Sequence, residues 1–96
     1  MFILQVEHKV PNYEGWKKAF DSDPVNRKKM GVTRYQVCRQ EENPDNIIID
    51  LYFDSMQNLQ SMLAALQNLW EKVDGTVMTK ATTRILNIKE IVDFLQ

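Results

Sequence analysis

The stretch Ile47-Ile48-Ile49-Asp50-Leu51-Tyr52-Phe53, followed by Asp54-Ser55, decides the fold. Successive side chains of a strand point to opposite faces, so Ile47, Ile49, Leu51 and Phe53 make one uniformly apolar face. Ile48, Asp50 and Tyr52 make the other. The first face calls for a covering layer of helices. The second, with a carboxylate among apolar side chains, is too apolar for water and too polar for a dry core. Asp54 or Ser55 then caps a helix in which Leu59, Met62, Leu63, Leu66, Leu69, Trp70 and Val73 form one broad apolar stripe over about four turns, ended by Asp74-Gly75.

The rest of the chain supplies partners for this unit. Upstream, Glu41 to Asn46, with Pro44 inside it, reads as a polar hairpin loop. Before it, Val32 to Gln40 alternates, with Thr33, Tyr35, Val37 and Arg39 on one face and Val32, Arg34, Gln36 and Cys38 on the other. Residues 2–9 form a first strand, in which Phe2, Leu4, Val6 and His8 oppose Ile3, Gln5, Glu7 and Lys9. Between these strands, Tyr13, Trp16 and Phe20 fall at i, i+3 and i+7 of a helix with Asn12 as its N-cap. Pro24 should kink or restart that helix, and the run Val25–Met30 continues it to a left-handed stop at Gly31. Downstream, Thr76 to Leu86 reads as a fourth strand. Asn87-Ile88-Lys89-Glu90 resembles a capping box and opens a short terminal helix through Ile91, Val92, Phe94 and Leu95.

The order is β-α-β-β-α-β plus a C-terminal helix, the split βαβ pattern of a ferredoxin-like α+β sandwich occupying residues 1–96 as one domain. A four-stranded antiparallel sheet would carry both long helices on one face. Ile3, Gln5, Ile48, Asp50 and Tyr52 are then left on the uncovered side, where a second copy of the chain would cover them as a homodimer. Asp50 needs a partner there, either Arg34 or a cation of the partner chain, because an unpaired carboxylate would be costly.

Composition narrows the function classes. Twelve Lys and Arg against thirteen Asp and Glu give a net charge of −1, without the basic footprint of a nucleic-acid binder. No apolar run, the Ile47–Ile49 triplet included, approaches the roughly 20 residues that span a bilayer. Met1 leads directly into Phe2-Ile3-Leu4 and charged residues, not a signal-peptide core, and Cys38 is the one cysteine. A reducing, cytoplasmic setting is expected. A single histidine and dispersed carboxylates offer no metal-ligand spacing, and no Gly-rich loop offers a phosphate cradle. Cys38 reads by default as a small buried hydrophobe.

The segment from His8 through Pro11-Asn12-Tyr13, Trp16 and Phe20-Asp21, followed by Arg27, Gly31-Val32, Arg39, Asn43-Pro44-Asp45-Asn46 and Phe53-Asp54, carries a resemblance. It is similar to the dimeric α+β barrel superfamily, in particular its cyclase-like and antibiotic-biosynthesis-monooxygenase-like small bacterial members, over about residues 3–86. The resemblance implies a homodimer with facing sheets and a small-molecule pocket between sheet and helices in each subunit. It does not imply one chemistry, because the superfamily spans cofactor-free monooxygenases, haem-degrading oxygenases, isomerases and polyketide cyclases. Haem-degrading members place an iron-ligating His after the second helix. Here Trp70 lies near the end of that helix, but His8 is the only histidine, so no cofactor is expected.

His8 is the one side chain with an ordinary pKa near neutrality, so it is the candidate catalytic acid or base, with Tyr13, Tyr35 or Tyr52 as a possible partner. Its bland alternative is a half-buried histidine bonded to a nearby carboxylate or carbonyl. Tyr13, Trp16 and Trp70 are candidate pocket walls for a small aromatic ligand, or simply core. Arg27 can reach back to Asp21 or to an anionic ligand. Two functions follow: a cofactor-free monooxygenase-like or cyclase-like enzyme on a small aromatic or polyketide-like molecule, or a non-catalytic dimeric binding or structural module. A cavity of a few hundred Å³ beside His8 would favour the first.

Overall fold

The structure is a computed structural model that describes residues 1–73 and 81–95. Its elements run β1 (Phe2–Lys9), α1 (Tyr13–Asp21), β2 (Val32–Gln40), β3 (Asn43–Phe53), α2 (Met56–Val73) and β4 (Thr82–Asn87). The strands form one sheet in the order β2-β3-β1-β4 with every neighbouring pair antiparallel. This is the ferredoxin-like arrangement expected from the pattern: each helix links strands that are separated by a third strand between them.

The two central strands, β1 and β3, bury the faces they advertise. Leu4, Val6 and His8 of β1 and Ile47, Ile49, Leu51 and Phe53 of β3 are all buried, beneath Trp16 of α1 and Leu59 and Met62 of α2. Asn12 caps α1, its side-chain oxygen accepting from the Gly15 N–H at 3.1 Å. Ser55, not Asp54, performs the same service for α2, with its hydroxyl accepting from the Asn58 N–H at 3.2 Å.

Several local expectations are corrected. The loop expected at Glu41–Asn46 is shorter, because β3 already begins at Asn43. Pro44 is tolerated because the β2–β3 register shifts between Arg39 and Gln40, where a missing N–H breaks no regular ladder bond. The helix expected over Val25–Met30 is instead a series of turns. Asp23 and Asn26 both adopt left-handed backbone angles (φ 53° and 54°). The Asp23 carboxylate accepts from the Arg27 N–H at 2.9 Å, a local bond that competes with helix. Gly31 ends the segment at φ 97°. An added Cβ there would lie 2.5 Å from Asn58 Nδ2 of α2, so the loop approaches that helix too closely for a side chain.

The terminal helix is absent: residues 88–95 have no regular secondary structure. Asn87 is the last residue of β4, paired with Phe2, and so is not free to cap a helix. A segment this short, without a packed face, does not sustain the helix nucleus. The Asp74-Gly75 stop and the Thr76–Lys80 part of the expected fourth strand lie outside the described residues. Among the described residues, no helix is long and apolar enough to cross a membrane, and no three potential metal ligands cluster.

Candidate functional site

The site grows from the end of β1. Strand alternation sends His8 to the helix-covered face beside Leu4 and Val6, and the α1 spacing places Trp16 above it, edge to face at 5.8 Å between centroids and 79° between planes. Trp16 in turn stacks on Phe20 at 5.0 Å. Between this aromatic row and α2 lies a cavity of about 160 Å³, floored by Val6, Ile49 and Leu51 and walled by Met62, Leu66 and Trp70 of α2. His8, Trp16, Phe20, Val25 and Arg27 complete its other side.

His8 is the singular feature of this wall. It is only 5% exposed, and neither ring nitrogen has a hydrogen-bond partner. Burial without a counter-charge disfavours the imidazolium and holds its pKa down at about 4. The ring is therefore neutral at physiological pH, with one N–H donor and one lone-pair acceptor both unspent. The bland alternative, a half-buried histidine bonded to a carboxylate or carbonyl, is corrected: the ring is buried and bonds to neither. The tyrosines engage other groups. Tyr35 meets Phe20 edge-on at 5.2 Å, and Tyr52 lies on the other face of the sheet opposite Ile3.

The other candidates divide. Trp16, Arg27 and Trp70 line the same cavity as His8. Tyr13 does not; it packs behind Trp16 with a centroid distance of 5.8 Å and carries the Arg39 guanidinium 4.7 Å over its ring. Arg27 does not reach Asp21, which is paired with Lys17 at 2.7 Å. Its guanidinium lies 3.8 Å over the Phe20 ring, donates to the Phe20 carbonyl at 2.8 Å and stands 3.6 Å from Asp23. These contacts tie the loop back to α1, so Arg27 is first a strut for the cavity rim. Phe20, Val25 and Leu66 belong to the lining as well. The stripe spacing of α1 and α2 marked Phe20 and Leu66 as inward, but only the turn geometry after Pro24 brings Val25 to the rim.

On the opposite side of the sheet, a polar row crosses all four strands. Gln36 of β2 and Gln5 of β1 donate to the two Asp50 oxygens at 2.9 and 3.0 Å. Arg84 of β4 donates to Gln5 at 2.9 Å and to Glu7 at 3.2 Å, and Asn46 donates to Glu7 at 2.9 Å. The bonds from Asn46 and Arg84 hold the Glu7 carboxyl below its usual range. Arg34, an expected partner for Asp50, lies over the Tyr52 ring at 4.7 Å instead. Cys38 is exposed on this side of β2 and is not the buried hydrophobe expected.

No protein-family profile matches the chain, and no curated protein matches it significantly. Solved structures do. A protein of Deinococcus radiodurans provisionally named an antibiotic biosynthesis monooxygenase superposes with a TM-score of 0.74 at 13% identity, covering 100% of each chain. A dimeric ferredoxin-like protein from an uncultured marine organism gives 0.73 at 16% identity, covering 95% of this chain and 97% of that one. The haem degrader MhuD of Mycobacterium tuberculosis, solved with two haems in its active site, gives 0.71 at 15% identity over 97% of this chain and all (100%) of its own. At such identities the likeness is one of fold: this chain shares the ferredoxin-like α+β fold of these structures.

Proposed function

We propose that the chain forms a homodimer through its uncovered sheet face and binds a compact aromatic molecule beside His8 in each subunit, as a cofactor-free monooxygenase-like or cyclase-like enzyme. The observation that carries this reading is the pair of unpartnered His8 nitrogens in the wall of an otherwise apolar cavity. A buried polar group left without a partner costs roughly 1–3 kcal/mol, a penalty that a purely structural position has no reason to retain. A phenolic hydroxyl answers both nitrogens' chemistry, because it donates to the bare nitrogen or accepts from the N–H. From there His8 takes the phenolic or an adjacent C–H proton and returns it later. Trp16 and Trp70 flank the ring, and Arg27 holds the rim.

The haem chemistry of MhuD does not transfer. A tetrapyrrole has several times the volume of a cavity of about 160 Å³, and the one histidine of the sequence is already placed under Trp16 on β1. No step is derived through haem. The same small volume, below the roughly 300–1,000 Å³ of typical ligand sites, together with the low basicity of His8, supports the second reading, a binding module without turnover.

The test is a titration of small hydroxyarenes against tryptophan fluorescence, since Trp16 and Trp70 line the cavity, with His8→Leu as the variant. Binding that weakens tenfold or more in His8→Leu, while the variant unfolds no more easily at neutral pH, supports the site. Absence of binding across the series, or equal binding by the variant, overturns it. With a binding compound in hand, dioxygen consumption separates the monooxygenase-like reading from the cyclase-like one, and absence of any product leaves the binding module.

A further inference from the structure

The four most exposed large apolar side chains among the described residues lie together. Ile91, Val92, Phe94 and Leu95 are 70%, 59%, 89% and 87% exposed, all on the segment that follows β4. At its root the Ile88 N–H donates to the Met1 carbonyl at 3.0 Å, which fixes the start of the segment beside the beginning of β1. Met1 and Leu86, beside that root, are exposed too. Leu86 pairs with Ile3 on the uncovered face, so the apolar segment continues directly from the border of that face. An isolated protein rarely leaves so large an apolar patch in water.

We infer that residues 88–95 form an arm that packs against a second copy of the chain and clasps the dimer. The inference rests on the proposed homodimer and adds the element that holds it. The area is sufficient: burying these four side chains removes about 300 Å² per arm. Two arms and the surfaces they cover then remove roughly 1,200 Å², which by itself reaches the lower bound of a stable interface. The arm carries Lys89, Glu90 and Asp93 between its apolar residues, and the Asp93 carboxylate accepts from the Leu95 N–H at 2.9 Å, a local turn that presents Phe94 and Leu95 outward. Within its own subunit the arm does not find cover, since all four of its apolar side chains stay more than half exposed.

The deciding measurement is the dimer dissociation constant of the full chain and of its Phe94→Glu, Leu95→Glu double variant, by sedimentation from nanomolar to 100-micromolar protein. Both positions are solvent-exposed within the subunit, so its fold is not at risk. A dissociation constant raised tenfold or more supports the arm. An unchanged constant overturns it and leaves dimerisation through the sheet face standing. A full chain that stays monomeric throughout removes the dimer and the arm together. Co-flotation of the full chain with phosphatidylcholine vesicles, lost in the double variant, would reassign the arm to a lipid surface and overturn the proposal.

Discussion

The two faces of the sheet are made from the same strands, yet they solve opposite problems. On the helix side, Leu4, Val6, Ile47, Ile49, Leu51 and Phe53 are buried and apolar, and His8 among them has no partner. On the uncovered side, the polar side chains are bonded to one another across all four strands. The face that excludes water thus contains the one buried side chain left unsatisfied among the described residues, and the polar row on the face open to water is paired within itself. An unpaired group in a dry wall is a site for a ligand; a paired row on an open face is a surface that can itself be covered at little cost.

Adjacent residues of β3 offer the bluntest way to break this contrast. Phe53 is fully buried and Tyr52, its neighbour, points the other way beneath Arg34. Phe53→Ala should cost about 3–5 kcal/mol, the usual penalty for emptying an aromatic site in a core. Tyr52→Ala should cost roughly 1 kcal/mol or less within a subunit, mostly its contact with the Arg34 cation, but should loosen the dimer. Urea unfolding at low protein concentration, set beside the dissociation constant, reads both effects. Equal losses of subunit stability would mean that the two faces are not different environments.

His8 gives the next largest effect, and its sign is fixed by burial. The unfolded chain takes up a proton near the ordinary value of 6.5, whereas the folded chain does so only near 4. Between those values the unfolded state holds more protons. Stability contributed by the neutral ring is therefore complete above about pH 6.5 and is lost as pH falls toward 4, by up to about 3 kcal/mol. Denaturant unfolding from pH 8 to pH 4 should show this slope, and His8→Leu should remove it. At neutral pH the variant should be about 1 kcal/mol more stable, because an orphaned polar group has gone. A variant that is less stable at neutral pH would mark His8 as structural.

How much of this was legible in the sequence follows the range of the forces involved. The bounds of β1 and β2, the start of α1 and the Asn12 cap came from alternation and spacing, which are local. The burial of Ile47, Ile49, Leu51 and Phe53 was legible for the same reason. The failures lie where local signals meet long-range ones. Asn87 carries a helix-cap signal, but pairing with Phe2, far away in the chain, claims it for β4. The Pro24–Met30 run has helical composition, but left-handed Asp23 and Asn26 turn it aside. At the site, alternation brought His8 to the covered face, and helix spacing brought Trp16 and Trp70 toward it. That Tyr13 sits behind Trp16, and that Asp50 pairs with two glutamines instead of Arg34, depends on packing between elements, which no periodicity encodes.

The smallest expected effect tests the open face most sharply. Asp50→Asn replaces two acceptors by one acceptor and one donor. Gln5 cannot reverse its amide to suit, since its oxygen already accepts from Arg84. Gln36 can, because only its Nε2 is engaged in the row. The substituted amide would therefore keep its bond from Gln5 and donate to the turned Gln36, at a cost below about 1 kcal/mol within the subunit. Asp50→Leu has no such remedy: it strands the donors of Gln5 and Gln36, which water can rescue on an exposed face but not beneath a second subunit. The dissociation constant should accordingly be little changed by Asp50→Asn and clearly raised by Asp50→Leu, with both subunits folded. If the leucine variant dimerises as tightly as the native chain, the polar row does not lie in the interface, and the pairing of the two sheets must be sought elsewhere.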